Sequence, residues 1–316
     1  MTVSKVVHEF HSRGVRCAAW LYLPQGREPF PCVVMASGFS GSRSGRLAAY
    51  AERFAEAGMA VYVFDYRGAR DGTGEAPQRL SVRRQLADWH AAVETARRFD
   101  AVDADRIALW GSSFSAGHVL TIATRDPAVA AVVSQGPQLI DQVDRAHRPR
   151  PIDQLKLTAA GLRDGVGAVF RCRPYYIPVV GPPGTLAVLN ASEREPGYRA
   201  TAPTWDNRVA ARIALPLPGN RPGGRVQRIH APVLYCVAEH DPVTSAHAVD
   251  ALAARMPRAE VRHYPVNHFG LESGETVDQL VADQLAFLSR ELKPAATRIP
   301  AKPIIRPEQA ARSRTA

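Results

Sequence analysis

The hydrophobic period of the chain changes repeatedly along its length. Residues 3–10 and 15–23 alternate apolar and polar positions on either side of a Ser12-Arg13-Gly14 turn, which predicts an antiparallel hairpin. Unbroken β-rich apolar runs then recur at 32–36, 60–64, 107–110 and 233–237, a nearly apolar one at 129–134 and a further short strand at 261–264. Such runs are the pattern of strands buried on both faces of a parallel sheet. Between them lie segments of helical period: 46–57, with Leu47, Tyr50, Phe54 and Ala57 on one face, then 81–98, a segment from about 115, 245–255 and 276–292. Strands alternating with helices in this way build an α/β fold, a mostly parallel central sheet with helices on both faces and the hairpin as its antiparallel edge. Ligands bind such sheets at the carboxyl ends of the strands, so the residues just after each run are those to inspect for chemistry.

The alternation fails over 136–229. About ninety residues separate two core strands there, far beyond an ordinary connection. The stretch holds Pro-rich pieces such as Arg148-Pro149-Arg150-Pro151 and Gly181-Pro182-Pro183-Gly184, together with Phe170, Tyr175, Tyr176, Tyr198 and Trp205. It reads as a helix followed by a cap inserted over the strand ends. The expected organisation is one domain over 1–292, carrying the cap at roughly 138–228, and a disordered basic tail over 293–316.

Four strand ends carry candidate chemistry. The run Ile107-Ala108-Leu109-Trp110 breaks at Gly111 and continues as Ser112-Ser113-Phe114-Ser115 into small, helix-compatible residues. Strand, sharp turn with a serine at its tip, then helix is the nucleophile elbow, and by position Ser113 is its nucleophile. The elbow pattern is G-x-S-x-G, and here its last position is Ser115, which is expected to serve, like Ser112, simply by being small. The helix N-terminus directs N–H groups and positive dipole toward an oxyanion at Ser113, and the residue after the nucleophile, Phe114, supplies one donor. The loop after the 32–36 run, Ser37-Gly38-Phe39, falls where the second donor is needed, and Phe39 is the residue expected to give it. After 233–237 comes Ala238-Glu239-His240-Asp241-Pro242, in which Asp241 is the candidate acid, with Glu239 as local rival and helix capping as the competing role. After 261–264 comes Pro265-Val266-Asn267-His268, and of ten histidines only His268 stands where a general base reaches the serine. His118, on the elbow helix, is expected to be a packed core residue.

Five stretches, VVMASGFSGSRSG, VFDYRGARDGTGEAPQ, RIALWGSSFSAGHVL, VLYCVAEHDPVT and YPVNHFGL, resemble the α/β-hydrolase superfamily, nearest its dienelactone-hydrolase-like and X-prolyl-peptidase-like (cocaine-esterase-like) branch. The resemblance covers the core but not the cap. It implies an α/β-hydrolase fold and a Ser-His-Asp enzyme, and the order Ser113, Asp241, His268 is that of the superfamily. Ser37-Gly38 stands where many relatives have His-Gly. The expected activity is hydrolysis of a carboxylic ester or thioester with an apolar acyl part, through an acyl-enzyme. Relatives that process polyketides make acyl transfer or thioester release the alternative, and a non-catalytic ligand-binding member of the fold is a second alternative.

Composition removes several other classes. The formal charge is +10, but the segment from Lys293 onward contributes +5 of it, and no basic stripe interleaved with aromatics occurs elsewhere, so nucleic acid is not an expected partner. Cys17, Cys32, Cys172 and Cys236 lack C-x-x-C spacing, so neither a disulfide framework nor a zinc site is indicated. H-E-x-x-H, P-loop and G-x-G-x-x-G patterns are absent, and the chemistry above needs no metal or organic cofactor. No run approaches a membrane span, and the first residues carry no long apolar core, which makes a cytoplasmic location the expectation. The oligomeric state is left open.

Overall fold

The computed structural model describes residues 3–38, 43–68, 80–138, 150–182, 184–190, 207–215, 223–241 and 244–293. The tail from 294 and the expected oxyanion donor Phe39 lie outside the described residues. The hairpin forms as β1 (Ser4–Ser12) and β2 (Val15–Leu23), turning at Arg13 and Gly14, both of positive φ. Strands β3 (Phe30–Ala36), β4 (Ala60–Phe64), β5 (Val102–Ser112) and β6 (Ala131–Gln135) follow. Among the described residues, the stretch between β6 and the next core strand contributes four two-residue strands, β7 (Tyr176–Ile177), β8 (Val180–Gly181), β9 (Leu189–Asn190) and β10 (Val209–Ala210), before β11 (Val233–Ala238) and β12 (Ala259–Tyr264) return to the core. Eight strands make one sheet in the order β1-β2-β4-β3-β5-β6-β11-β12, with β2 antiparallel to both its neighbours and the strands from β4 onward parallel.

The runs on β4 and on β5 from Ile107 to Trp110 are apolar at every position because each face buries a different layer. On β4, Ala60, Tyr62 and Phe64 face one cluster and Val61 and Val63 the other. On β5, Ile107 and Leu109 alternate with Ala108 and Trp110 in the same way. The first layer holds α2 (Val82–Ala96) and α3 (Phe114–Ala123), with Leu86, Trp89, Val119 and Leu120 buried in it, and α5 (Ala246–Ala253). The second holds α1 (Arg46–Glu56) through Leu47, Tyr50 and Phe54, and α6 (Thr276–Glu291) through Leu280, Phe287 and Leu288. The predicted face of α1 holds except at Ala57, which is exposed as the C-cap, since Gly58 at φ 92 ends the helix there.

Within the same stretch, α4 (Pro151–Val169) packs its Leu157, Ala160 and Gly161 side down onto the 3-10 turn Ala211–Ala214. A Cβ on Gly161 would come within 2.8 Å of the Leu215 side chain, so a larger residue at this crossing would push the two apart. Asp164 is buried in the same contact. Burial works against its charge, but Arg212 Nε at 2.6 Å and the Tyr175 N–H at 2.8 Å outweigh it and hold the carboxyl below its ordinary range. Leu157, Ile177, Val180 and Val209 join the α2–α3 layer, so the described part of this stretch shares a core with the sheet. No helix among the described residues is long and apolar enough to cross a membrane.

Candidate active site

β5 delivers Ser113 at its carboxyl end, in the middle of the sheet. Its backbone is at φ 54 and ψ −113, a conformation that L-residues avoid and that persists only where the surroundings over-determine it. Here they do: the Ser113 N–H donates to the Gln135 carbonyl at 2.8 Å, and the Ser113 carbonyl accepts from the N–H groups of Ala116 and Gln138 at 3.1 and 3.0 Å. Gly111 is required by the same turn, because a Cβ there would lie 2.6 Å from the Ser115 carbonyl carbon and 2.9 Å from the Ala116 nitrogen. Helix α3 begins at Phe114, directly after the serine, so the Phe114 N–H lies at the helix N-terminus.

The Ser113 hydroxyl lies 2.9 Å from His268 Nε2, and His268 Nδ1 lies 2.7 Å from Asp241 Oδ2. All three side chains are buried. The structure therefore brings together the three residues picked out from three strand ends. The competing roles separate as well. Ser245 caps α5 by accepting from the Ala248 N–H, while Asp241 stands before that helix and turns one oxygen to the Thr244 N–H at 3.2 Å and the other to His268. Glu239 and His240 are exposed. His118 is buried and holds Gln85 Oε1 at 3.0 Å, the packed core residue expected, and burial pushes its pKa down to about 3.

Several neighbours escaped the sequence reading. Asn267 caps the 3-10 turn His268–Leu271 by accepting from the N–H groups of Phe269 and Gly270. The Leu271 carbonyl of that turn accepts from Tyr50 Oη at 2.8 Å and Gln135 Nε2 at 3.3 Å. Gln284 of α6 donates to Gln135 at 2.8 Å and accepts from Trp110 Nε1 at 2.9 Å, so buried amides link the turn to β5 and β6. Ser112 Oγ donates to Glu272 Oε1 at 2.5 Å, tying the elbow directly to the histidine turn. Ser112 and Ser115 thus do more than stay small.

Ser115 is the clearer case. Trp89 Nε1 donates to the Tyr66 hydroxyl at 2.6 Å, Tyr66 bonds the Ser115 hydroxyl, and Ser115 bonds the Ser37 carbonyl. The Ser37 carbonyl can only accept and takes the single Ser115 proton, so Tyr66 must donate to Ser115, and with the donor-only indole behind it the three bonds run one way, toward Ser37. Next along is Gly38, where a Cβ would lie 2.8 Å from Ser113 Cβ, so the loop presses against the serine. Beside it, Arg43 pairs with the buried Asp65 and stacks 4.9 Å from the Trp20 ring centre. Arg67 pairs with buried Asp88 at 2.5 Å, which accounts for the Asp-Tyr-Arg-Gly stretch as a structural knot at the end of β4.

A family model of X-Pro dipeptidyl-peptidases of the S15 family matches residues 13–150, the stretch that carries the elbow. Over 285 residues the chain is 40% identical to the quorum-quenching protein AidA of Acinetobacter baumannii, covering 89% of this chain and 93% of that protein. The chain belongs to the α/β-hydrolase superfamily. This α/β-hydrolase is also 26% identical over 289 residues to the polyketide transferase ATR5 of Stachybotrys chlorohalonatus, covering 89% of its own length and 95% of that protein. Among solved structures, the α/β hydrolase GrgF of Penicillium sp. sh18 superposes on the hydrolase with a TM-score of 0.78 at 24% identity, over 92% of this chain and 99% of that one.

Proposed function

We propose that this hydrolase cleaves a carboxylic ester or thioester through an acyl-enzyme on Ser113. The observation that carries the reading is the continuous hydrogen-bonded line from Ser113 Oγ through His268 to Asp241, at 2.9 and 2.7 Å. His268 Nε2 takes the proton from Ser113 as the oxygen attacks the carbonyl carbon. Asp241 holds the ring in the tautomer with Nδ1 protonated and stabilises the imidazolium that forms. The N–H groups of Phe114 and Phe39 are the proposed oxyanion donors, and the α3 N-terminus adds its dipole. The leaving alcohol or thiol takes the proton from His268. A water molecule then gives a proton to His268 and attacks the acyl carbonyl, which releases the acid and restores Ser113.

The likeness to a quorum-quenching protein favours a small diffusible acyl substrate, linear or cyclic, since a lactone opens by the same steps. Labelling with a fluorophosphonate probe tests the nucleophile: wild type is labelled and Ser113→Ala is not, and equal labelling of both refutes the assignment. A panel of p-nitrophenyl esters, lactones, thioesters and an X-Pro anilide then ranks the acyl and leaving groups.

The 26% identity to a polyketide transferase supports a second reading, in which an alcohol intercepts the same acyl-enzyme and the product is a new ester. Turnover with an added alcohol separates the two: ester formed faster than acid favours transfer.

A further inference from the structure

The outer side of α4 is apolar and faces away from the body of the protein. Ile152, Leu155, Ala159, Leu162, Val166 and Val169 are all exposed and follow one another at spacings of three, four, three, four and three residues, a coiled-coil seam. The five large side chains and Phe170 at the helix C-cap are 52% to 79% exposed, while the opposite side of the same helix is buried on the cap through Asp153, Leu157, Ala160, Gly161 and Asp164. Side chains of this size leave roughly 100 Å² apiece to bury, and a contiguous apolar patch beyond a few hundred Å² is unusual on a monomer.

The seam is also symmetric in sequence. About the midpoint between Ala160 and Gly161, Ala159 mirrors Leu162, Leu155 mirrors Val166, Ile152 mirrors Val169 and Pro151 mirrors Phe170. A two-fold axis at that midpoint makes the helix its own antiparallel partner. Every exposed apolar residue then faces an apolar residue, with the small Ala159 opposite the large Leu162. Within the helix no cation meets a cation: Lys156 mirrors Gly165 and Arg163 mirrors Thr158. Arg171 mirrors Arg150 beyond the helix ends, where Asp153 at 2.7 Å already pairs with Arg150. Closing the seam buries roughly 600 Å² on each copy, about 1,200 Å² in all, the lower bound for a specific interface.

We infer that the covering partner is a second copy of this chain, and that the hydrolase is a two-fold dimer joined by antiparallel α4 helices. An isologous contact of this kind needs a self-complementary surface, and that is what the mirrored seam supplies.

Sedimentation or light scattering at micromolar concentration should give a particle of twice 34.4 kDa for wild type. Leu162→Glu should weaken the dimer by about thirtyfold or more while leaving the far-UV circular dichroism and the melting curve cooperative. A monomeric wild type overturns the inference, whether or not it floats with anionic vesicles, as does a dimer unaffected by Leu162→Glu. The register is tested separately in a Cys172→Ser background, since Cys172 is exposed. Leu155→Cys with Val166→Cys should cross-link two chains under mild oxidation. Val166→Cys alone should not, because an antiparallel pairing sets the two copies of that position about 16 Å apart at 1.5 Å of rise per residue. Cross-linking by the single substitution refutes the antiparallel arrangement.

Discussion

Asp241→Asn isolates what the carboxylate contributes to the proposed mechanism. The asparagine fills the same space. Its carbonyl oxygen can keep the bond to the Thr244 N–H, at 3.2 Å in the native protein, while its amide nitrogen takes the place of the oxygen 2.7 Å from His268 Nδ1. An amide N–H donates where the carboxylate accepted, so His268 must turn Nδ1 into the acceptor and carry its proton on Nε2. That proton points at Ser113 Oγ, 2.9 Å away, and the ring can no longer receive the one Ser113 must lose. The geometry survives and the tautomer is wrong. In a serine triad such an inversion lowers kcat by roughly ten-thousandfold, about 5 kcal/mol of transition-state stabilisation. The folded state loses little, about 1 kcal/mol or less, because the contacts with Thr244 and His268 are both kept. The assay is kcat and KM on the best p-nitrophenyl ester, alongside urea unfolding of the same preparation. If Asp241→Asn retains kcat within tenfold of wild type while folding normally, Asp241 is only a turn residue and the mechanism above is wrong. Glu239→Gln, at an exposed position, serves as the control and should leave kcat unchanged.

Further outcomes follow from the same geometry. His118 has a folded-state pKa near 3 against an ordinary 6.5, so the unfolded chain takes up a proton that the folded protein refuses, and stability present above pH 6.5 falls as pH drops toward 3. In urea titrations wild type should lose about 1.4 kcal/mol per pH unit more than His118→Gln below pH 6.5, and parallel curves would refute the neutral, buried assignment. Ser115→Gly restores the usual elbow motif, yet it removes the bond to the Ser37 carbonyl and the acceptor of the Tyr66 hydroxyl proton. It should cost about 1–3 kcal/mol of stability and lower kcat at least about tenfold with KM little changed, and a fully active variant would show that the relay does not position the loop. Gly111→Ala should cost about 3 kcal/mol or more, read as a fall in Tm of several degrees, because its Cβ meets backbone rather than a movable side chain.

What could be read from the sequence was whatever the chain repeats locally. The strands 60–64 and 233–237, apolar at every position, stood out because both of their faces are buried, and β4 ends where the run ends. β5 is five residues longer at its start than the apolar run 107–110 because Val102 pairs with Phe30 after a register shift, and Asp103, Asp105 and Arg106 conceal that extension. Ser113, Asp241 and His268 were legible because each sits at a strand end that topology converges on one place. Their supports were not. Glu272 reaches Ser112 across 160 positions and Gln284 reaches Gln135 across 149, and no local pattern marks a buried amide whose partner is that far away. Asn267 did carry a local signal, a capping side chain just before a short turn, and could have been named.

The departure at Ser115 clarifies what the elbow motif demands. Its two glycine positions obey different constraints. At Gly111 the obstacle is backbone on the far side of the turn, which cannot move without undoing the strained serine, so glycine is forced. At position 115 the side chain leaves the turn altogether and points at Ser37 and Tyr66, into a gap between the ends of β3 and β4. Glycine would leave the proton of the buried Tyr66 hydroxyl and a strand-end carbonyl to be satisfied otherwise, and a hydroxyl of this size satisfies both at once. Asp65, beside Tyr66, is held by Arg43 from the other end of the same loop. Two side-chain links therefore anchor the segment that presses Gly38 against Ser113, one at each end, with the proposed donor Phe39 between them. With Ser37 and Gly38 held against the serine before substrate arrives, oxyanion donors proposed on this loop would need no reorganisation during the reaction. On this reasoning Ser115 and Arg43 should act together: Arg43→Gln and Ser115→Gly each loosen one end, and the double variant should lower kcat by less than the product of the two single effects.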